Sequence, residues 1–329
     1  MDKIKNINWK NILSKLNFHF VFLGLVFVII AAIVIRLYDW DSNSKVLDTT
    51  EDTSGKYDRE VLDNLVPYTY DAEPKNPEDM VIACFGNAPF ADNRGSADNL
   101  SNIIAEKTNA TVYNFSFPNS YLSSETVSIT GKNNDLFSLY WLTTIFALDN
   151  DIIVDYYLED APDTPLETRA TLSLLQNLDF NTVDVITIMY DGNDYLDGRR
   201  MYSEENPTSF HRFGGALEAS IALIKEKFPH IHIIVMSPAY AYALNADGTY
   251  ADSTITTFGE GPLASYVQYE ANVCYKMFAS FVDNFYGSLS ELDADAVLED
   301  HIHLSSEGRQ RAAEGFMKAY DHYLKYRNR

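Results

Sequence analysis

Cysteine is almost missing from this chain: 329 residues contain only Cys84 and Cys274. Two cysteines so far apart form no CxxC pair and no zinc-ligand spacing. A single disulfide between them and two buried thiols both fit. Positive charge is also scarce, with 25 Lys and Arg against 47 Asp and Glu and a formal net charge of −22. Such a surface repels phosphate backbones, and no local basic patch offsets it, so nucleic acid is excluded as a partner. Glycine and proline number 15 and 11, too few for a low-complexity or collagen-like chain. No internal repeat is visible. The segment Phe258-Gly259-Glu260-Gly261-Pro262 is no phosphate loop, because it lacks the preceding strand and the lysine. What the chain does have is 46% hydrophobic and 13% aromatic residues, enough for a substantial core.

One apolar run stands out. Leu16 to Ile35 carries no formal charge over twenty residues, the length that spans a hydrocarbon core of roughly 30 Å. It is apolar all round and leads straight into Arg36 without a small-residue cleavage site, so it reads as an uncleaved anchor. Lys3, Lys5, Lys10 and Lys15 precede it, and Asp39 and Asp41 follow. The basic side stays in the cytoplasm. The expected organisation is a basic cytoplasmic tail (1–15), a single-pass signal anchor (16–36), an acidic stem (37–79) and an extracytoplasmic domain (80–329). Net charge splits into +4 for residues 1–36 and −26 for the rest.

From Met80 onward, short β-branched runs alternate with amphipathic ones. Strands are expected at Met80–Phe85, Ala110–Phe115, Val183–Met189 and Ile231–Ser237. Helices are expected at 98–107, 136–148, 165–178, 215–228, 262–286 and 306–326. Buried strands separated by helices argue for a three-layer α/β/α sandwich around a parallel sheet. Ligands in such sheets sit beyond the carboxyl ends of the strands. The informative residues are therefore Gly86–Phe90, Ser116–Ser120, Asp191–Asp194 and Ala239–Tyr242.

Two of those stretches form a pattern with a third segment near the C-terminus. Phe85-Gly86-Asn87-Ala88 follows the first strand, Asp191-Gly192-Asn193-Asp194 the third, and Asp300-His301-Ile302-His303-Leu304 precedes the last helix. In order and spacing this resembles the SGNH (GDSL-type) hydrolase family, with Asn114–Asn119 where that family has its second block. The resemblance covers residues 80–329 and implies an ester hydrolase or acyl-transfer enzyme. By it, His303 is the general base and Asp300 its orienter. Asn193, with the backbone N–H groups of positions 88 and 119, forms the oxyanion hole, an arrangement that needs donors in place before charge develops. Asn87, Asp191, Asp194 and Tyr195 fall where substrate would bind. The resemblance further implies O-acyl (acetyl) groups of envelope or polysaccharide glycans as substrate, no cofactor, no metal, and a membrane acyltransferase as a candidate partner.

The departures are as specific as the matches. Ala88 stands at the nucleophile position and has no hydroxyl. Asn87 replaces the block's aspartate, Asn119 the second block's glycine, and Asp191 the first glycine of G-x-N-D. Ser96 and Ser116 lie nearby in sequence, but neither occupies a tight turn after a strand. Three accounts fit: a diverged binding module, a deliberate serine deletion, or weak catalysis with His303 activating water. The additional departures favour divergence.

Other clusters read more plainly. His301 and His303 form H-x-H without a third ligand group, so a surface histidine is preferred to zinc. Asn245-Ala246-Asp247-Gly248 fails the EF-hand pattern and reads as a turn. Tyr195, Tyr240 and Tyr242 lie near strand ends; core or surface packing is the preferred reading for them, with a sugar-binding groove as the alternative because aromatic faces suit pyranose rings. Residues 195–214, with Arg199 and Arg200, have no periodicity and are expected as a lid.

Overall fold

The computed structural model of the chain describes Val26 and residues 60–71, 73–126 and 135–328. The expected tail and anchor, Val26 apart, and the first part of the stem lie outside the described residues. Among the described residues no helix is long and apolar enough to cross a membrane. The chain divides into Met1–Asp58 and Arg59–Arg329, and every strand and helix named below belongs to the second unit.

Its centre is a five-stranded sheet. In chain order the strands are β1 (Val81–Gly86), β2 (Thr111–Ser116), β3 (Val185–Met189), β4 (His232–Met236) and β7 (Ser280–Val282), with a separate hairpin of β5 (Tyr242–Leu244) and β6 (Tyr250–Asp252). The sheet order is β2-β1-β3-β4-β7 and every pairing in it is parallel. All residues of β3 and β4 are buried, as a sheet covered on both faces requires. A short helix, α1 (Ala88–Ala91), follows β1 directly. The two covering layers are built from α2 (Leu100–Thr108) and α7 (Ser306–Arg327) on one side, and α3 (Leu139–Leu148), α4 (Leu166–Asn177), α5 (Phe213–Lys227) and α6 (Leu263–Met277) on the other. The expected α/β/α sandwich is therefore observed. From β1 the chain steps outward to β2 and then returns across to β3, so the strand order reverses between β1 and β3. That reversal opens a crevice at the carboxyl ends of those strands. Gly86 closes it tightly: a Cβ there would sit 2.0 Å from the Met189 carbonyl oxygen.

Two elements differ from the sequence expectation. The helix expected over 262–286 ends at Met277, and β7 begins three residues later. Phe278 adopts a left-handed conformation (φ 53°) and stops the helix without the glycine that usually marks such a cap. The stem expected over 37–79 also runs too far, because residues 60–71 are joined to the sheet. Asn64 makes an antiparallel bridge to Phe281 on the outer edge of β7, donating at 3.0 Å and accepting at 2.8 Å. Leu62 N–H donates to Asp283, Val66 N–H to the Ser280 hydroxyl, and the Tyr68 hydroxyl to the His230 carbonyl. This segment covers an edge strand that would otherwise stay open. Further along, Lys75 pairs with buried Asp184 at 2.9 Å. These are backbone and single-residue attachments, invisible to hydrophobic periodicity. Cys84 and Cys274 are both buried and free.

Candidate functional site

The crevice is lined from three loops. The first follows β1. Asn87 precedes α1, whose first turn directs the Phe90 and Ala91 N–H groups onto the Asn87 carbonyl. Pro89 has no N–H, so Ala88 carries the one first-turn donor that α1 does not use for itself. Ala88 is buried.

The second loop follows β3, and it meets the first. Asn87 Nδ2 donates to Asp191 Oδ1 at 2.7 Å, and Asp191 N–H donates to Asn87 Oδ1 at 2.9 Å. Asn87 Nδ2 also reaches the Ser120 carbonyl at 2.9 Å, which binds in the loop after β2. The two positions at which the sequence differs in charge from the expected pattern therefore form one reciprocal pair, with the amide at the end of β1 and the carboxyl at the end of β3. Burial pushes the Asp191 carboxyl up to about 7, against hydrogen bonds from Asn87 and the Asn193 N–H that favour the anion. Asn193 Nδ2 lies 3.4 Å from Asp191 Oδ2, so the expected oxyanion donor stands beside this carboxyl. Asn119 has φ 56°, the left-handed conformation that asparagine tolerates where glycine is usual.

The third loop carries His303, the expected base. Leu298 and Leu304 form a short antiparallel bridge, and Glu299 N–H donates to the His303 carbonyl at 2.8 Å, closing the turn between them. Asp300 Oδ1 accepts from the Ile302 and His303 N–H groups, both at 2.8 Å, and its Oδ2 meets His303 Nδ1 at 2.7 Å. The aspartate so shapes its own loop and leaves Nε2 of the imidazole outward. Burial works against the Asp300 anion, yet the two N–H groups and His303 hold it at about 2. Burial also opposes the imidazolium, but Asp300, then Asp92 and Asp191, raise the His303 pKa above its ordinary value. Arg309 braces the loop from α7. It donates to the Leu304 carbonyl and to Asp98, at 2.7 Å on the carboxylate.

Other expected residues have different surroundings. Asp194 is 1% exposed and accepts from the Leu122 N–H at 2.8 Å and from the Ser123 N–H and hydroxyl, stapling the 121–124 loop to the end of β3. Arg199 supports the same loop, stacked 3.4 Å from the Tyr121 ring centroid and donating to the Ser123 carbonyl. Tyr195 is equally buried, with its hydroxyl on the Thr256 carbonyl at 2.8 Å. Both side chains are buried, with their polar atoms engaged by neighbouring loops. Ser116 bonds Asn114, and Ser120 bonds the Phe117 carbonyl, so neither hydroxyl is directed at the base. No group of three or more metal-ligating side chains occurs among the described residues. Asp92, whose carboxyl burial raises and the His303 charge lowers, is a neighbour of the base that no motif marked. A cavity of about 540 Å³ lies at the opposite ends of β4 and β7, under residues 64–70, away from these loops.

No family model and no curated protein matches the chain. Solved structures do. One crystal structure shares 18% identity and a TM-score of 0.52, over 75% of this chain and 98% of its own. A protein from Lactobacillus plantarum shares 13% identity and a TM-score of 0.50, over 74% of this chain and 96% of its own. A GDSL-like lipase from Parabacteroides merdae shares 16% identity and a TM-score of 0.46, over 76% of this chain and all of its own. At these identities the likeness is one of fold, a parallel α/β sandwich.

Proposed function

We propose that this chain carries an SGNH-type ester site from which covalent catalysis has been removed, and that it holds O-acylated glycans of the envelope or of a polysaccharide outside the membrane. The observation that carries this reading is the His303–Asp300 pair, joined at 2.7 Å on the rim of a crevice whose strand-end position is Ala88. An ester bound there would meet donors and a base but no hydroxyl to attack it. The reciprocal Asn87–Asp191 pair supports divergence over a simple serine deletion, since two departures compensate each other across the crevice. The apolar run at 16–36 and the lysines before it support a single-pass tether with the N-terminus in the cytoplasm. A membrane acyltransferase is the partner that such a tethered module suits.

A second reading, weak ester hydrolysis, is favoured by the same imidazole. Its side chain is 37% exposed and its Nδ1 is held, so Nε2 can take a proton from water directly. Without an acyl-enzyme route the acceleration would be about 10³–10⁴-fold over water.

The test compares the full-length chain with Ala88→Ser on p-nitrophenyl acetate. The serine variant is expected to turn over and the unchanged chain to show little. Adding His303→Ala to the serine variant should abolish the gain. A silent serine variant, correctly folded, would overturn the ester-site reading.

A further inference from the structure

The hairpin of β5 and β6 is attached to the loop that carries the base, because Tyr242 N–H donates to the His301 carbonyl at 2.7 Å. Three rings run along this junction in near-parallel planes. Tyr242 and Tyr250 have centroids 5.5 Å apart at 15°, and Tyr250 and His301 6.0 Å apart at 25°. Buried Tyr240 props the strip from below, edge-on to Tyr242 at 5.2 Å and with its hydroxyl 3.3 Å from Asp252. Tyr250 is 55% exposed, although the pairing of β5 with β6 does not need an aromatic there. With half-buried Tyr242 and His301 beside it, Tyr250 makes a contiguous aromatic patch, and it is contiguous patches rather than single exposed rings that mark binding surfaces. The border of the strip is acidic. Asp295 bonds the Tyr242 hydroxyl, Glu291 lies near it, and Asp300 follows at the His301 end.

We propose that Tyr242, Tyr250 and His301 form a subsite for a neutral pyranose ring, placed so that an O-acyl group on the same glycan reaches His303. The inference rests on the ester-site reading above. Pyranose rings present a C–H face that packs on aromatic planes, and hydroxyls at their rim that donate to carboxylates. Uronate, sulfate or phosphate groups would meet Asp295, Asp300 and Glu291 as like charges, so acidic glycans are disfavoured. The strip is open to solvent on its Tyr250 side, which suits a chain passing across it rather than an acyl tail enclosed within it.

The experiment is calorimetric titration of the full-length protein with O-acetylated xylohexaose and with O-acetylated hexagalacturonate. Binding of the xylohexaose is expected, weakened about ten-fold by Tyr250→Ala and within about two-fold of normal in Tyr250→Phe. The galacturonate should bind at least about ten-fold more weakly than the neutral chain. Turnover by Ala88→Ser is scored separately. If the serine variant is active but Tyr250→Ala binds unchanged, or no oligosaccharide binds, the subsite is refuted and the ester site stands. If binding depends on Tyr250 while the serine variant is silent, the glycan surface stands and the ester site falls. Equal affinity for the galacturonate overturns the assignment of a neutral ligand.

Discussion

Asp191 should decide how much activity a restored nucleophile can recover. In Ala88→Ser the oxyanion formed at the acyl carbon would lie about 3 Å from Asn193 Nδ2, and that nitrogen is 3.4 Å from Asp191 Oδ2. An ionised Asp191 would then stand within about 6 Å of the developing negative charge. At an effective dielectric constant of about 20 this costs about 3 kcal/mol, roughly a hundred-fold in rate. The sign follows from the two titrations. His303 must lose its proton to act as base, so activity rises through its raised pKa. Asp191 is neutral below about 7 and charged above it, so activity falls again as pH increases past that value. In Ala88→Ser the two titrations oppose each other, so the gain from freeing His303 should be cut back on the alkaline side. Adding Asp191→Asn keeps an oxygen for the Asn87 Nδ2 and Asn193 N–H donors, frees Asn193 Nδ2 from its carboxyl partner and removes the charge, and should convert the falling limb into a plateau. At about pH 8.5 the double variant should exceed the single one by roughly a hundred-fold in kcat/KM on p-nitrophenyl acetate. The same substitution has a stability readout. A buried carboxyl whose pKa is raised in the folded state contributes stability at low pH that is lost as pH rises from the unfolded value through about 7. In the otherwise unchanged chain, Asp191→Asn should thus raise Tm at pH 8 and leave it unaltered at about pH 3. Identical pH–rate profiles for the single and double serine variants would refute the reasoning.

Two more outcomes are set by the geometry. Asp300→Asn in the serine variant should lower kcat by about 10³–10⁴-fold, because the imidazole loses the group that fixes its tautomer while its loop retains an acceptor oxygen; an effect below ten-fold in steady-state kinetics would show that Asp300 only shapes the loop. Gly86→Ala forces a methyl to 2.0 Å from the Met189 carbonyl oxygen and should destabilise by about 1–3 kcal/mol in urea unfolding. An unchanged midpoint there would mean that the ends of β1 and β3 do not need to approach so closely.

Much of the sheet was legible in the chain. Strands such as Val185–Met189 are buried throughout and mostly apolar, Thr187 apart, because both faces are covered, and the helices between them show the complementary stripe. The His303–Asp300 pair was legible too, since a spacing of three residues within one tight turn brings the two side chains together locally. β7 was hidden because Phe278 ends the preceding helix without glycine or proline. The attachment of residues 60–71 was hidden because it depends on partners more than two hundred residues away, at Ser280, Phe281 and Asp283. Asp194 and Tyr195 were expected at the site from their position after a strand, and only the tertiary structure shows their hydrogen bonds to residues 122–123 and 256.

By itself the sequence determined the class of fold, the strand-end loops, the close placing of Asp300 and His303, and the absence of a hydroxyl at position 88. Each of these is a local property, written in periodicity or in short spacing, whereas the roles of base and orienter are what the family resemblance implies. Tertiary structure decided that Asn87 and Asp191 exchange hydrogen bonds, that Asp92 and Asp191 bias His303, and that the Tyr242–Tyr250–His301 strip adjoins the base. Those relations join residues from different strands and loops. A hydrogen bond between side chains about a hundred positions apart arises only when a parallel sheet brings the carboxyl ends of β1 and β3 together.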